Sequence, residues 1–240
     1  MSLNAFFLYF GGKSQLAPHY PPPRHETIIE PFAGAAGYAT RYHHRRVQLI
    51  DKDPVVVGIW RYLLGASARD LLALPELGPD QLVEDLPCCQ EARWLIGRWI
   101  DFGAKAPAKK RSSWGDDPSK LHRTWGRTVR ARLAAQVGKI RHWQVREGDY
   151  WDAPDVEATW FVDPPYERAG LQYTVSSAGL DFAALGEWCR TRRGQVIVCE
   201  ESGAEWLPFR AFRAIKALNQ EQTVEAIWTN DAEAQAEAHA

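Results

Sequence analysis

The sequence predicts a three-layer α/β fold, a Rossmann-like and mainly parallel sheet into which a mostly helical subdomain is inserted. Three stretches carry that expectation. Thr27 to Ile29 is a short apolar strand that breaks into Glu30-Pro31-Phe32-Ala33-Gly34-Ala35-Ala36-Gly37, after which Tyr38 to His44 can form a helix. Val47 to Ile50 is a second strand, closed by Asp51. Thr159 to Val162 is a third, and it stops at Asp163-Pro164-Pro165-Tyr166 because neither proline offers an N–H to a ladder. A glycine-bearing turn between strand and helix lets a ligand approach the backbone closely. An acid at the tip of the next strand has the reach to take both hydroxyls of a ribose. Two plain βα units with a capping aspartate fit the same residues.

The remaining elements follow in order. Phe6 to Phe10 reads as a strand-like apolar run leading into Gly11-Gly12-Lys13-Ser14. That turn is not a phosphate loop, because position 7, where such a loop needs glycine, is Phe. It is a flexible turn that presents a lysine beneath Tyr9 or Phe10. Pro54 to Leu64 is a helix, Trp143 to Arg146 a strand followed by Gly148-Asp149-Tyr150, and Asp181 to Arg193 a helix capped by Asp181. Val196 to Cys199 and Val224 to Trp228 are further strands.

Composition bounds the rest. With 240 residues and 45% apolar content the chain can bury one sizeable core plus an insert. The net charge of -1 hides an uneven distribution: eleven of the 29 Lys and Arg fall between Lys105 and Arg141, where only two of the 30 acids lie. A basic block in an otherwise acidic protein suggests a polyanionic partner. Cys88, Cys89, Cys189 and Cys199 lack metal-ligand spacing and make a poor disulfide framework, which fits a reducing compartment. Neither an export signal nor a membrane span is expected, nor a metal, and a monomer is assumed.

The chemistry lies at the third strand tip. The Asp163 carboxylate and the Pro164 carbonyl can jointly accept both hydrogens of one exocyclic amine, and Tyr166 can lie flat against the ring that bears it. Taken with Tyr9 to Lys13, Glu30 to Gly37 and Asp51, the residues Asp163 to Tyr166 resemble, in sequence order, the D12 class of DNA adenine-N6 methyltransferases, which are similar to Dam. The resemblance covers roughly residues 6 to 60 and 143 to 230. It implies a methyltransferase catalytic domain over 1–64 and 142–230, a DNA target-recognition insert over 65–141 and a flexible tail over 231–240. It further implies S-adenosylmethionine as cofactor, held by Tyr9, Lys13, Phe32, Gly34, Asp51 and Asp163, with Asp149 near the cofactor's adenine. Asp163, Pro164, Pro165 and Tyr166 would act on an adenine flipped out of double-stranded DNA. The setting it implies is the bacterial cytoplasm, in restriction-modification or on behalf of a phage. Gly34-Ala35-Ala36-Gly37 departs from the family's Gly-x-Gly and widens the turn by one residue.

Within the insert, Glu91 to Phe102 is a helix packed on the main domain. A second helix over Lys120 to Arg141 would bury Leu121, Trp125, Val129, Leu133, Val137 and Ile140, and turn Lys120, Arg123, Arg127, Arg130 and Arg141 outward. Those cations, with Lys109, Lys110 and Arg111 in the preceding loop, match a phosphate track; a solvated basic face has the same pattern. Cytosine N4 offers the same amine chemistry. Cytosine C5 transfer requires a thiolate, for which Pro87-Cys88 is the candidate pair. RNA as substrate and a DNA-binding module without turnover complete the alternatives.

Overall fold

The computed structural model describes residues 2–78, 80–101, 105–111, 122–168, 170, 176–216 and 222–231. Its centre is a seven-stranded sheet made of β1 (Thr27–Glu30), β2 (Arg46–Asp51), β3 (Gln144–Glu147), β4 (Ala158–Val162), β5 (Gly194–Glu201), β6 (Arg210–Lys216) and β7 (Gln222–Thr229). The spatial order is β3-β2-β1-β4-β5-β7-β6. The first five are parallel, and β7 runs antiparallel to both β5 and β6. This is the Rossmann-like, mainly parallel α/β fold that the sequence predicts.

The pleat sorts side chains onto two faces. Ile28, Val47, Leu49, Phe161, Ile197 and Cys199 enter the larger core, while Ile29, Ile50, Trp160, Val162, Val196 and Val198 enter the smaller one. Buried on both faces, parallel strands read as continuous apolar runs rather than alternations. Helices α1 (Gly37–Arg41), α2 (Pro54–Gly65), α3 (Ala68–Ala73), α4 (Gln90–Ile100) and α5 (Arg127–Val137) contribute to the larger core, and α6 (Phe182–Thr191) to the smaller. Three layers result. Because parallel strands point their carboxyl ends the same way, the tips at Glu30, Asp51 and Val162 meet along one edge.

The structure departs from the sequence reading in four places. Phe6 to Phe10 is not a strand. Phe6 and Phe7 are buried with their rings 5.6 and 5.4 Å from Trp60, while the Phe6 carbonyl accepts the Trp99 indole N–H at 2.9 Å. Asn4 exchanges two hydrogen bonds with the Gln136 side chain. The Trp99 and Gln136 side chains therefore satisfy backbone groups that a ladder would otherwise take. The basic helix is shorter than expected: α5 starts at Arg127, after a turn at Thr124 to Gly126. It nevertheless buries Val129, Leu133 and Val137, with Trp125 and Ile140 on either side.

Helix α3 and strand β6 were not foreseen. The first is a six-residue helix held by a Ser67–Asp70 capping box. The second is an edge strand carrying exposed Arg210 and Arg213, a composition that protects an edge but gives a weak strand signal. Lys120, Leu121 and the 232–240 tail lie outside the described residues.

Candidate active site

Six separated segments line one cavity at the carboxyl edge. Tyr9, Lys13, Phe32, Gly34, Asp51, Asp149, Asp163, Pro164 and Pro165 all face it. Tyr166 does not. It stands behind Asp163, with Lys13 Nζ 4.8 Å from its ring centre and its hydroxyl donating to Glu225 Oε1 at 2.7 Å.

The glycine turn is shaped by close approach. Gly34 has φ +46°, and a Cβ there would stand 3.0 Å from the Tyr9 ring. A Cβ on Gly37 would meet the Ser14 nitrogen at 2.6 Å and the Lys13 carbonyl carbon at 2.8 Å. These two glycines thus let the Tyr9–Lys13 segment lie directly on the turn. Ala36, where the sequence has no glycine, takes a left-handed conformation at φ 49° and forms the N-cap of α1.

Asp51 has a different arrangement from a ribose ligand alone. Its Oδ2 accepts the Gly34 amide and its Oδ1 the Asp53 amide, each at 2.8 Å. It ties the turn after β1 to the start of α2, which Asp53 caps through the Val55 amide. Burial pushes the Asp51 carboxyl up to about 6 despite these two donors. Glu30 is buried more fully, accepts the Ala39 amide at 2.7 Å and is pushed up to about 8 by that burial. On the other wall, Phe32 stacks on Tyr150 with centroids 5.7 Å apart. Asp149 pairs with Lys52 at 2.7 Å, and exposed Trp151 lies beside them.

Asp163 sits 2.8 Å from Lys13 Nζ, and its side chain is 19% exposed. Lys13 also donates to the Gly11 carbonyl at 2.9 Å. Burial pushes the Asp163 carboxyl up to about 6, with Lys13 pulling it down and Glu225 pushing it further up. Beyond the prolines the chain turns back, the Gly170 amide donating to the Tyr166 carbonyl at 2.7 Å.

The basic residues divide by environment. Lys109, Lys110, Arg123 and Arg127 are exposed, and Arg111 is half-buried, donating to the Trp125 carbonyl. Arg130 folds back onto the carbonyls of Leu72 and Leu74 and pairs with Glu76, and Arg141 donates to the carbonyls of Leu64 and Ala66. Both arginines cap the C-termini of α3 and α2 rather than lining an open track. Their helical spacing concealed this, because the carbonyls they serve lie more than fifty residues earlier in the chain. Replacing Arg130 by Ala should therefore cost about 1–2 kcal/mol of stability by uncapping α3, whereas Arg127→Ala should leave it within about 0.5 kcal/mol. Urea titrations of the two variants check this.

Sequence reasoning passed over Glu225, Tyr20 and Asp53 as site residues. Glu225 carried a signal, an acid inside the apolar run Val224 to Trp228. Tyr20 carried none, since only the fold brings it to Glu225. Among the described residues no His, Cys, Asp or Glu cluster could hold a metal, and no helix is long and apolar enough to cross a membrane.

Among known proteins, no family profile and no curated protein matches the chain. Solved structures align at low similarity, among them the following two. The protein yhhF of Escherichia coli, proposed to be a methyltransferase, is 13% identical over 92% of this chain and 82% of its own, with a TM-score of 0.37. The rRNA methyltransferase aviRa of Streptomyces viridochromogenes is 16% identical over 95% and 88%, with a TM-score of 0.39. Likenesses this loose assign no activity to the chain, and its fold is read from its own strand order.

Proposed function

We propose that the protein is an S-adenosylmethionine-dependent DNA methyltransferase that modifies the N6 amine of an adenine flipped out of the duplex. The observation that carries the reading is convergence: the lysine turn, the glycine turn and the Asp-Pro-Pro tip, far apart in sequence, line one cavity. The cavity's chemistry suits the cofactor. A glycine turn whose close packing excludes side chains leaves backbone within reach, the stacked Phe32–Tyr150 pair offers a face to an adenine, and Lys13 offers a cation to a carboxylate. S-adenosylmethionine bound there would supply an electrophilic methyl group.

The chain's own residues then do the following. Asp163 Oδ and the Pro164 carbonyl accept the two hydrogens of the target amine, drawing its lone pair out of ring conjugation. They stabilise the positive charge that develops at nitrogen, and the proton the methylated amine must lose passes to solvent. The Asp-Pro-Pro backbone holds these acceptors in place, and alignment of nitrogen with the methyl group lowers the barrier further. Extruding the base costs a few kcal/mol of unpairing and unstacking. Exposed Arg123, Arg127, Lys109 and Lys110 are assigned to the phosphates. Their replacement by Ala should weaken DNA binding and flatten its salt dependence.

An ionised Asp163 is the stronger acceptor and alone carries the charge that offsets a positive nitrogen, and burial pushes its carboxyl up to about 6. The rate is therefore expected to fall about tenfold per pH unit below that value and to level off above it. A rate that does not vary from pH 5 to 8 removes the Asp163 carboxylate from the step. The deciding assay is labelled methyl transfer to unmethylated DNA followed by nucleoside analysis. N6-methyladenine supports the reading, whereas N4-methylcytosine, label in RNA alone or no label at all overturns it. Cytosine C5 transfer is disfavoured because Cys88 does not line the cavity and burial raises its thiol.

A further inference from the structure

Behind the cavity lies a buried acid that the proposed reaction does not itself use. Glu225, on β7, is 2% exposed. Its Oε1 accepts the hydroxyls of Tyr20 and Tyr166, each at 2.7 Å, and Lys13 Nζ stands 3.9 Å away. A buried carboxylate is costly unless such donors and a countercharge surround it. Of these partners Lys13 belongs to the lysine turn and Tyr166 to the Asp-Pro-Pro-Tyr tip.

The linkage is mechanically continuous. Tyr20 stacks on Phe212 at 5.1 Å and meets the edge of Phe161 at 5.1 Å, so the core fixes its phenol. That phenol fixes Glu225, and Glu225 fixes the Tyr166 ring beside Lys13. Burial holds the Tyr166 hydroxyl far above its ordinary titration range, so it remains a donor at any working pH.

We infer that Glu225 is a positioning residue for the methyl-transfer site, holding the Tyr166 ring and the Lys13 ammonium and, through Lys13, the Asp163 carboxylate. The inference rests on the reading of Asp163 as the amine acceptor. Lys13 and Glu225 act on the Asp163 carboxyl, and Asp163 in turn pushes up Glu30, Tyr20, Tyr166 and Cys199 around it. Lys13 pulls the Asp163 carboxyl down, whereas Glu225 pushes it up.

The test uses the full chain with Glu225→Gln, which keeps the side chain's size and an acceptor oxygen while removing the charge. Carboxyl carbon NMR, with Asp163→Asn to assign the resonance, follows the Asp163 titration without requiring turnover. Loss of the neighbouring negative charge should lower its midpoint, and the acid limb of the rate profile should move down with it. At pH 8 kcat should fall about 10- to 100-fold through misplacement of the acceptor, with KM for S-adenosylmethionine within about threefold. Tyr166→Phe, which keeps the charge but cuts the tether, should lower kcat similarly and leave the Asp163 midpoint closer to wild type.

If wild type transfers label and Glu225→Gln matches it in both midpoint and kcat, the positioning role is overturned. If wild type transfers none while the midpoint still moves in the variant, the functional reading fails and the linkage stands. Should Glu225→Gln not fold, Tyr166→Phe decides: wild-type kcat in that variant overturns the role.

Discussion

Replacing Asp163 by alanine is expected to lower methyl transfer by about 10³-fold or more while the chain stays folded. Transition-state stabilisers placed against developing charge are worth about 10²–10³ each, and this substitution also removes the acceptor that orients the amine. Folding should survive because the cation left behind is not isolated: Lys13 Nζ stands 3.9 Å from Glu225 and donates to the Gly11 carbonyl. Asp163→Asn keeps an acceptor oxygen but adds a donor and loses the charge, so a smaller deficit of about 10²-fold is expected. Single-turnover transfer at pH 8, with thermal unfolding measured alongside, separates chemistry from stability. A folded Asp163→Ala protein that transfers near the wild-type rate removes Asp163 from the mechanism.

The second large effect is expected at Gly37. The added Cβ would meet the backbone of Ser14 and Lys13, at 2.6 and 2.8 Å, and no rotamer change relieves a backbone clash. Either α1 or the lysine turn must move. Gly37→Ala should therefore cost about 1–3 kcal/mol, the range for overpacking a tight contact. It should also weaken S-adenosylmethionine binding at least about tenfold, because Lys13 is carried away from the glycine turn. Gly138 makes a matched control. It is in right-handed helical conformation at φ -61° with nothing within 4 Å of its added Cβ, so Gly138→Ala should be neutral or slightly stabilising. Calorimetric binding and urea unfolding of both variants test the pair. Cofactor affinity unchanged in Gly37→Ala would mean that the lysine turn does not belong to the binding site.

Legibility in the sequence followed the physics of each element. β1, β2 and β4 were readable because a parallel strand buried on both faces is a short apolar run, and the turns that end them carry Gly or Pro for steric reasons local to the chain. The apolar stripe of α5 was readable from its period, even though its N-terminal boundary was not. Phe6 to Phe10 has the same composition as a buried strand, and what denies it a ladder is the indole of Trp99, ninety-three residues away. The expected exposure of Arg130 failed for a similar reason, since α3 supplies carbonyls that no helical pattern announces.

By itself the sequence determined the fold class, the strand tips and nine of the residues that line the cavity, because turns, strand ends and apolar periods are set by neighbours along the chain. Tertiary structure alone decided what those residues touch: Asp51 bracing the glycine turn, Lys13 paired with Asp163, and Glu225 joined to two tyrosines. Such contacts depend on which distant groups share a low-dielectric interior. There each buried polar atom must find a partner across the fold, and the chain's order does not say which one it will be.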